Sequence, residues 1–505
     1  MKRGILLVRA DATVTSGTGH AMRCLALAQA WQHAGGDAIF VMAQATAAIR
    51  ERLRLEQVKI VDIEADSGRS EDLRQTVAAA RSQNAEWLAV DGYHFQAQYV
   101  SELQKARPLL LIDDNGELDF YSADWVLNQN VHTSAEMYAK RALDTRLLLG
   151  PRYTLLRNEF TAYRSWTRKI SARGTRVLLT MGGSDPKDLA PGILSALAEL
   201  SIDDLQIRVV VGGSAENRSG VADIATKFPG RVEVLSNVAN MAELMAWADV
   251  AIAGAGITCW EMCLLGLPAI LVVVAENQRL IAEHLADVGA AVNAGSAETL
   301  ECSSLAQIVA ELLGSDDRRR KMSDAGRRLV DGLGSERVRA ALLGRELNLR
   351  LVREDDCRLL FEWAGDPAAR AASFHSAPIS WEHHVRWFGE RLQDPHSVIY
   401  IGENAAGEAV GLVRFQIKDD SAVLSVNVAP KLRGRGWGRE LIMFATHALV
   451  RSRSVHRVEA FVKPQNEASV RLFEASGFRR AGIGRVAGQD VLLFTWECRD
   501  ENYGS

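Results

Sequence analysis

Short apolar runs alternate with segments of helical period twice over in this chain, and that alternation limits the folds open to it. The first series has strand candidates at Ile5–Arg9, Ala38–Met42, Val58–Ile63, Trp87–Val90 and Leu109–Ile112, with helix-period segments such as Ala21–Ala34 and Ser70–Gln83 between them. A second series runs through Arg176–Thr180, Gln206–Val211, Val232–Leu235, Val250–Ala253 and Ala269–Val274. Strands that are apolar on both faces and separated by helices imply right-handed βαβ units and parallel sheets covered on both sides. The polar stretch Tyr153–Arg173 reads as a helix-compatible link between the two halves, and Asp316–Asn348 as a charged helical stretch closing the second. After Leu349 the texture changes. A strand at Leu349–Asp355 leads into a helix at Asp356–Trp363, and strands then cluster at Val398–Glu403, Ala409–Lys418 and Ala422–Val428, which predicts antiparallel pairing. Three domains follow, over 1–160, 161–346 and 347–498, with the last boundary near 346–349. A chain of 505 residues exceeds what one ordinary core accommodates.

Composition narrows the function. Hydrophobic residues make up 48% and charged residues 24%, and the net charge of −4 gives no general pull toward nucleic acid or anionic membrane. The longest apolar run, Leu267–Ala275, is too short to span a bilayer and reads as a buried parallel strand, so no membrane insertion is expected. Residues 1–10 are basic and then apolar, but Asp11 follows at once, which predicts a first strand and not a signal peptide. Six scattered cysteines include Cys259 and Cys263 one helical turn apart, with no second pair or nearby histidine to complete a metal site. A cytoplasmic, reduced protein without a metal is the expectation.

The first strand ends in Ala10-Asp11-Ala12 and the following loop carries Ser16-Gly17-Thr18-Gly19-His20 into a helix. Gly17 and Gly19 permit a tight path at the carboxyl end of the strand, where open α/β sheets bind ligands. At a helix N-terminus the dipole disfavours imidazolium, so His20 is either a neutral proton acceptor or a capping residue without chemistry. In the second half, Met181-Gly182-Gly183-Ser184-Asp185 follows a strand, and Gly254-Ala255-Gly256-Ile257-Thr258-Cys259-Trp260-Glu261 forms a glycine turn opening a helix. Such amides suit a diphosphate, Thr258 can donate to it, and Glu261 can accept from ribose hydroxyls or merely favour the helix dipole. Glu276-Asn277-Gln278 places amides on the same rim.

Together these motifs resemble the GT-B glycosyltransferases, in particular the N-acetylglucosaminyl transferase of peptidoglycan synthesis. The likeness is closer to the UDP-sugar hydrolases of pseudaminic acid biosynthesis. It extends over nearly all of residues 4–300, through Arg9-Ala10-Asp11, the loop from Gly17 to Arg23, Asp91-Gly92-Tyr93, Ile112-Asp113-Asp114, Gly182-Gly183-Ser184 and Asn277-Gln278. The resemblance implies a GT-B-like pair of Rossmann-type domains. It also implies UDP-2,4-diacetamido-2,4,6-trideoxy-β-L-altropyranose as substrate, His20 as general base for water, Asp91 and Tyr93 near the sugar, and no metal. Hydrolase and transferase share this apparatus; only an acceptor pocket separates them.

In the last domain, Arg433-Gly434-Arg435-Gly436-Trp437-Gly438 lies between the strand Ser421–Val428 and a helix at Glu440–Leu449. Its amides and arginines suit a diphosphate. Asn466-Glu467-Ala468-Ser469 then opens a second helix that runs through Phe473 to Gly477. The ordered pair resembles motifs A and B of the GNAT superfamily of acetyl-CoA-dependent N-acetyltransferases. This implies a GNAT α/β domain in which Val426 and Val428 flank the pantetheine arm and a strand amide stabilises the thioester oxyanion. Asn466 and Ser469 either bond the cosubstrate or cap their helix. Phe473 holds a position where many relatives have a tyrosine acid, and it cannot donate a proton. The domain is similar to acetyltransferases of the same pathway, which act on a UDP-linked 4-amino-4,6-dideoxy sugar. It is also similar to ribosomal-protein N-terminal acetyltransferases around Ala377–Trp381 and Trp387-Phe388. The neighbouring hydrolase-like half favours the sugar, since acetylation would make the hydrolase substrate. The rivals are a glycosyltransferase fused to an acetyltransferase and a sugar-nucleotide-binding module fused to a protein acetyltransferase.

Overall fold

The computed structural model describes residues 4–13, 17–182, 185, 187–212, 218–228, 231–236 and 238–497. It divides into two compact units, one up to Arg339 and one from Ala340. The first unit holds two parallel sheets. One consists of β1 (Ile5–Ala10), β2 (Asp37–Met42), β3 (Lys59–Asp62), β4 (Trp87–Asp91), β5 (Leu109–Ile112), β6 (Trp125–Asn128) and β7 (Arg146–Leu149), in the order β3-β2-β1-β4-β5-β6-β7. The other consists of β8 (Arg176–Thr180), β9 (Gln206–Val211), β10 (Val232–Ser236), β11 (Val250–Gly254), β12 (Ala269–Val273) and β13 (Ala291–Ser296), in the order β10-β9-β8-β11-β12-β13. Helices cover both faces, which is why strands such as Leu109–Ile112 are buried along their whole length. In each sheet the order reverses once, between β1 and β4 and between β8 and β11. At such a reversal the loops leaving neighbouring strands run to opposite faces, and open α/β sheets bind their ligands there.

Both expected series of strands are present, and the structure adds β6, β7 and β13, whose short or mixed sequences carry little periodic signal. The stretch Tyr153–Arg173 departs from the helical expectation. It contains only a 3₁₀ turn at Pro151–Tyr153 and a short helix at Asn158–Thr161. Arg164 donates to the Gly332 carbonyl and Arg168 to those of Leu265 and Met245, so side chains pin this segment in an irregular path. The stretch Asp316–Asn348 also divides. Helices span Asp316–Leu329 and Gly334–Leu342, and Asp331 between them accepts from the Leu333 amide and from Arg337.

The second unit is one mixed sheet of β14 (Asn348–Leu351), β15 (Ser397–Glu403), β16 (Ala409–Lys418), β17 (Ser421–Val428), β18 (Arg457–Val462), β19 (Arg479–Val486) and β20 (Gln489–Glu497). Their order is β14-β15-β16-β17-β18-β20-β19. Strands β14 to β17 pair antiparallel, whereas β17 and β18 pair parallel. That parallel pairing runs only from Ser421↔Arg457 to Val423↔Glu459. Beyond it the two strands part, leaving the β18-side edge of β17 from Leu424 to Val428 outside the ladder. Helices Cys357–Gly365 and Trp381–Gln393 pack on one face, around Leu360, Phe388, Ile399 and Ile401. Helix Trp437–Ser452 covers the other, where Leu441 stands against Gly402 and Gly411.

Candidate active sites

In the first unit the chemistry collects at the reversal between β1 and β4. Ala10 and Asp91 are register partners at the ends of these strands. The loop after β1 delivers His20 at the start of helix Gly19–His33. Its Nδ1 lies 2.6 Å from Asp91 Oδ1. Asp91 is fully buried and also accepts from Arg23 Nε at 2.6 Å and Nη2 at 2.7 Å. Arg23 Nη1 continues to Asp114 Oδ1 at 2.8 Å, and Asn130 donates to the same oxygen. Burial by itself would raise the Asp91 carboxyl, but the charge of Arg23 and the His20 contact outweigh it and hold Asp91 well below the usual carboxylate range. Asp91 thus sits beneath the histidine. A proton on Nδ1 facing this carboxylate leaves Nε2 as the ring's accepting nitrogen.

Tyr93 stands 51% exposed beside the imidazole, with ring centroids 4.6 Å apart. Its hydroxyl donates to Asp114 Oδ2 and accepts from Asn277 Nδ2, each at 3.1 Å. Asn277 belongs to the second half, so this contact joins the two halves. The halves meet again at Gly19, where a Cβ would come within 3.0 Å of Ile257 Cδ1. Gly17 adopts φ +74 in the same loop. Gln278 Oε1 accepts from the Val274 amide, which holds its side chain beside Gly254 and Gly256. Thr258 begins the next helix and remains partly exposed. Gly182 follows β8 with φ +88, while Gly183 and Ser184 lie outside the described residues.

Glu261, expected to accept from ribose hydroxyls or to favour the helix dipole, has a protein partner. It is buried, and Oε1 accepts from Arg157 Nη2 at 2.7 Å. Burial raises its pKa and Arg157 opposes that shift. Arg157 also pairs with Glu159 at 2.7 Å. Sequence reading quoted Arg23 and Asp114 only among the residues that carry the resemblance, without a role, and did not single out Asn130 or Arg157. One signal for Arg23 was available, since it follows His20 by one helical turn on the same face.

In the second unit, the loop after β17 turns at Gly434 (φ +75) and Gly436 (φ +89) before helix Trp437–Ser452. Among the described residues no side chain caps that helix; the Arg439 amide bonds the Gly436 carbonyl at 3.3 Å, and a helix start of this kind suits an anion. Arg433 does not stand free for phosphate. It pairs with Asp366, and its Nε donates to the Val428 carbonyl at 3.2 Å, which ties down the root of the loop. Arg435 is exposed. The side chains of Trp437 and Phe473 are buried, and Phe473 packs against Phe478 and Phe494, so its ring belongs to the core. Gly438 lies against Leu472 and Val428. Asn466 Oδ1 accepts from the Ser469 amide, so this asparagine caps its helix. Val426 and Val428 lie on the stretch of β17 that β18 leaves unpaired.

Residues 346–479 match the family model of the acetyltransferase (GNAT) domain, and residues 177–333 that of the glycosyltransferase family 28 C-terminal domain. The protein MJ1062 of Methanocaldococcus jannaschii is 22% identical over 94% of this chain and 96% of its own. The UDP-N-acetylglucosamine--N-acetylmuramyl-(pentapeptide) pyrophosphoryl-undecaprenol N-acetylglucosamine transferase of Salinibacter ruber is 31% identical over 30% of this chain and 42% of its own. Among solved structures, spermidine N-acetyltransferase of Vibrio cholerae in complex with CoA and spermine covers 30% of this chain and 95% of its own. Its identity is 22% and its TM-score 0.28, too slight a likeness to carry function. The spore coat polysaccharide biosynthesis protein SpsG of Bacillus subtilis is 31% identical over 47% of this chain and 69% of its own. The chain belongs to the family of SpsG and carries a GNAT acetyltransferase domain in its C-terminal part.

Proposed function

We propose that the protein N-acetylates a UDP-linked 4-amino-4,6-dideoxy sugar with acetyl-CoA and then hydrolyses UDP-2,4-diacetamido-2,4,6-trideoxy-β-L-altropyranose to free sugar and UDP. The observation that carries the hydrolytic half is His20 on buried Asp91 at the sheet reversal, because binding alone needs no oriented base. Water attacks the anomeric carbon, its proton goes to His20 Nε2, and the C–O bond to UDP breaks with the electron pair leaving on the diphosphate. The amides near Gly182, Gly254 and Gly256, with Thr258, receive that charge. In the other unit the loop Arg433–Gly438 holds the diphosphate of acetyl-CoA, and an amide of β17 meets the thioester carbonyl. A glycosyltransferase is the second reading, favoured by the family 28 match. Incubating the diacetamido UDP-sugar with protein and no acceptor separates the two: stoichiometric UDP and free sugar support hydrolysis, and an intact substrate contradicts it.

Asp91 acts in this scheme as a positioning residue. Asp91→Asn is expected to lower kcat for UDP release by about 10²–10⁴-fold, the range for losing the carboxylate that orients a catalytic histidine, with KM within a few-fold. Asp91→Glu should restore part of it. The same carboxylate affects stability. Its folded-state pKa lies below the unfolded value of about 3.9, so its contribution is present above pH ~4 and is lost as pH falls below that. Thermal melts between pH 7 and pH 3 should therefore show a shallower acid decline in Asp91→Asn than in wild type. An unchanged kcat would remove Asp91 from the mechanism.

Glu261 is proposed to hold the ribose through Oε2, with Arg157 fixing Oε1. Glu261→Ala should weaken UDP binding by about 1.5–3 kcal/mol, as for a hydrogen bond to a charged group, while turnover at saturation falls much less. Arg157 keeps Glu159 as partner in this variant. In calorimetry, wild type should bind 2′,3′-dideoxy-UDP more weakly than UDP, and the variant should not distinguish them. Equal discrimination by both proteins would place the ribose elsewhere.

A further inference from the structure

Arg414 lies on β16 opposite Ser425 of β17 and Ile399 of β15, and residues opposite each other share a face. This is the face of helices Cys357–Gly365 and Trp381–Gln393, and helix Trp437–Ser452 covers the other. The helices stop short of its edge, for Val423 and Ser425 are exposed. At that edge the Arg414 guanidinium lies over the Trp387 ring, 5.4 Å from the centroid. It is partly buried, yet among the described residues it has no hydrogen bond or ion pair. Nearby acids are committed elsewhere: Asp394 takes Arg391 and Gln416, and Glu459 takes Arg457. Burial first, then the charge of Arg391, depresses the Arg414 pKa, and no carboxylate among the described residues opposes that shift. A guanidinium held this way at the edge of an open face keeps donors that reach solvent and have no protein acceptor among the described residues.

We propose that Arg414, seated on Trp387, receives the diphosphate of the acceptor substrate, so that acetyl transfer in this domain selects an amine carried on a nucleoside diphosphate. The inference rests on the acetyltransferase reading above and adds which residue recognises the acceptor. The planar guanidinium presents paired N–H donors matched to phosphate oxygens, and the indole beneath fixes its plane. Acetyl-CoA is not expected to compete for this residue, since the helix that its proposed diphosphate loop opens, Trp437–Ser452, covers the opposite face. The contact exists before and throughout the reaction, so it governs acceptor affinity and leaves the chemical step alone.

The test follows CoA thiol release with two acceptors, UDP-4-amino-4,6-dideoxy-N-acetyl-β-L-altrosamine and the same amino sugar without UDP. Wild type should prefer the UDP-linked acceptor by about 10–100-fold in kcat/KM, mostly through KM, the size of a charge-assisted contact. Arg414→Ala should abolish that preference while its KM for acetyl-CoA stays within about two-fold of wild type. Arg414→Lys, which keeps the charge and loses the fork, should fall between, and it carries the test if the alanine variant does not fold. A preference surviving in Arg414→Ala or Arg414→Lys at the wild-type level overturns the assignment while leaving the acetyltransferase reading intact. If wild type acetylates neither sugar but does acetylate an acidic peptide N-terminus, the sugar reading itself fails, and this inference fails with it.

Discussion

Replacing His20 with alanine is expected to abolish UDP release and to leave acetyl transfer at the wild-type rate. General-base catalysis by a positioned side chain contributes about 10²–10⁴-fold, and a loss of at least that size should appear in kcat. The variant should still bind UDP, because the amides proposed to receive the diphosphate belong to the second half of the first unit. His20 is only 8% exposed and rests on a network that survives its removal, since Arg23 continues to bridge Asp91 and Asp114. Folding should therefore hold. UDP release measured by coupled assay, beside thiol release from acetyl-CoA, separates the outcomes. Hydrolysis within a few-fold of wild type would mean the base is another group.

Gly436→Val should have the converse effect. Gly436 has φ +89, a conformation in which a β-branched residue is strained, and a Cβ there would come within 2.6 Å of Arg345 Nη1. The added side chain would also fill the space where backbone amides meet a diphosphate. Acetyl transfer should fall by about 100-fold or more through loss of acetyl-CoA affinity, since close backbone approach is the basis of that binding. Hydrolysis of the pre-acetylated UDP-sugar should be unchanged. Joint loss of both activities would show that the two reactions depend on one folded assembly and not on separate sites.

Much of the fold could be read from local pattern because its strands are buried on both faces. Leu109–Ile112, Arg176–Thr180 and Gln206–Val211 are uninterrupted or nearly uninterrupted apolar runs, and they begin and end where pattern places them. Pattern failed where side chains, and not periodicity, hold the backbone. The segment after Tyr153 is kept irregular by Arg164 and Arg168 reaching carbonyls far along the chain. The site divides in the same way. Glycine turns at strand ends were legible, since few residues other than glycine tolerate those conformations. Partners were not: Asp91 lies 71 residues from His20, Arg157 104 from Glu261 and Asp366 67 from Arg433. Each partner alters a role: Asp91 moves from the sugar's surroundings to the His20 ring, Arg157 takes one oxygen of Glu261, and Asp366 draws Arg433 from phosphate to the loop's root. Phe473 moves from cosubstrate to core by packing on Phe478 and Phe494.

The central claim, two consecutive reactions on one nucleotide sugar, is tested most directly by giving the wild-type protein UDP-4-amino-4,6-dideoxy-N-acetyl-β-L-altrosamine with and without acetyl-CoA and following products by mass spectrometry. With acetyl-CoA, the diacetamido UDP-sugar should form and then decline as free diacetamido sugar and UDP accumulate; without it, UDP release should be slow or absent. Acetylated UDP-sugar that persists without releasing UDP, or UDP release at the same rate whether or not acetyl-CoA is supplied, would contradict it.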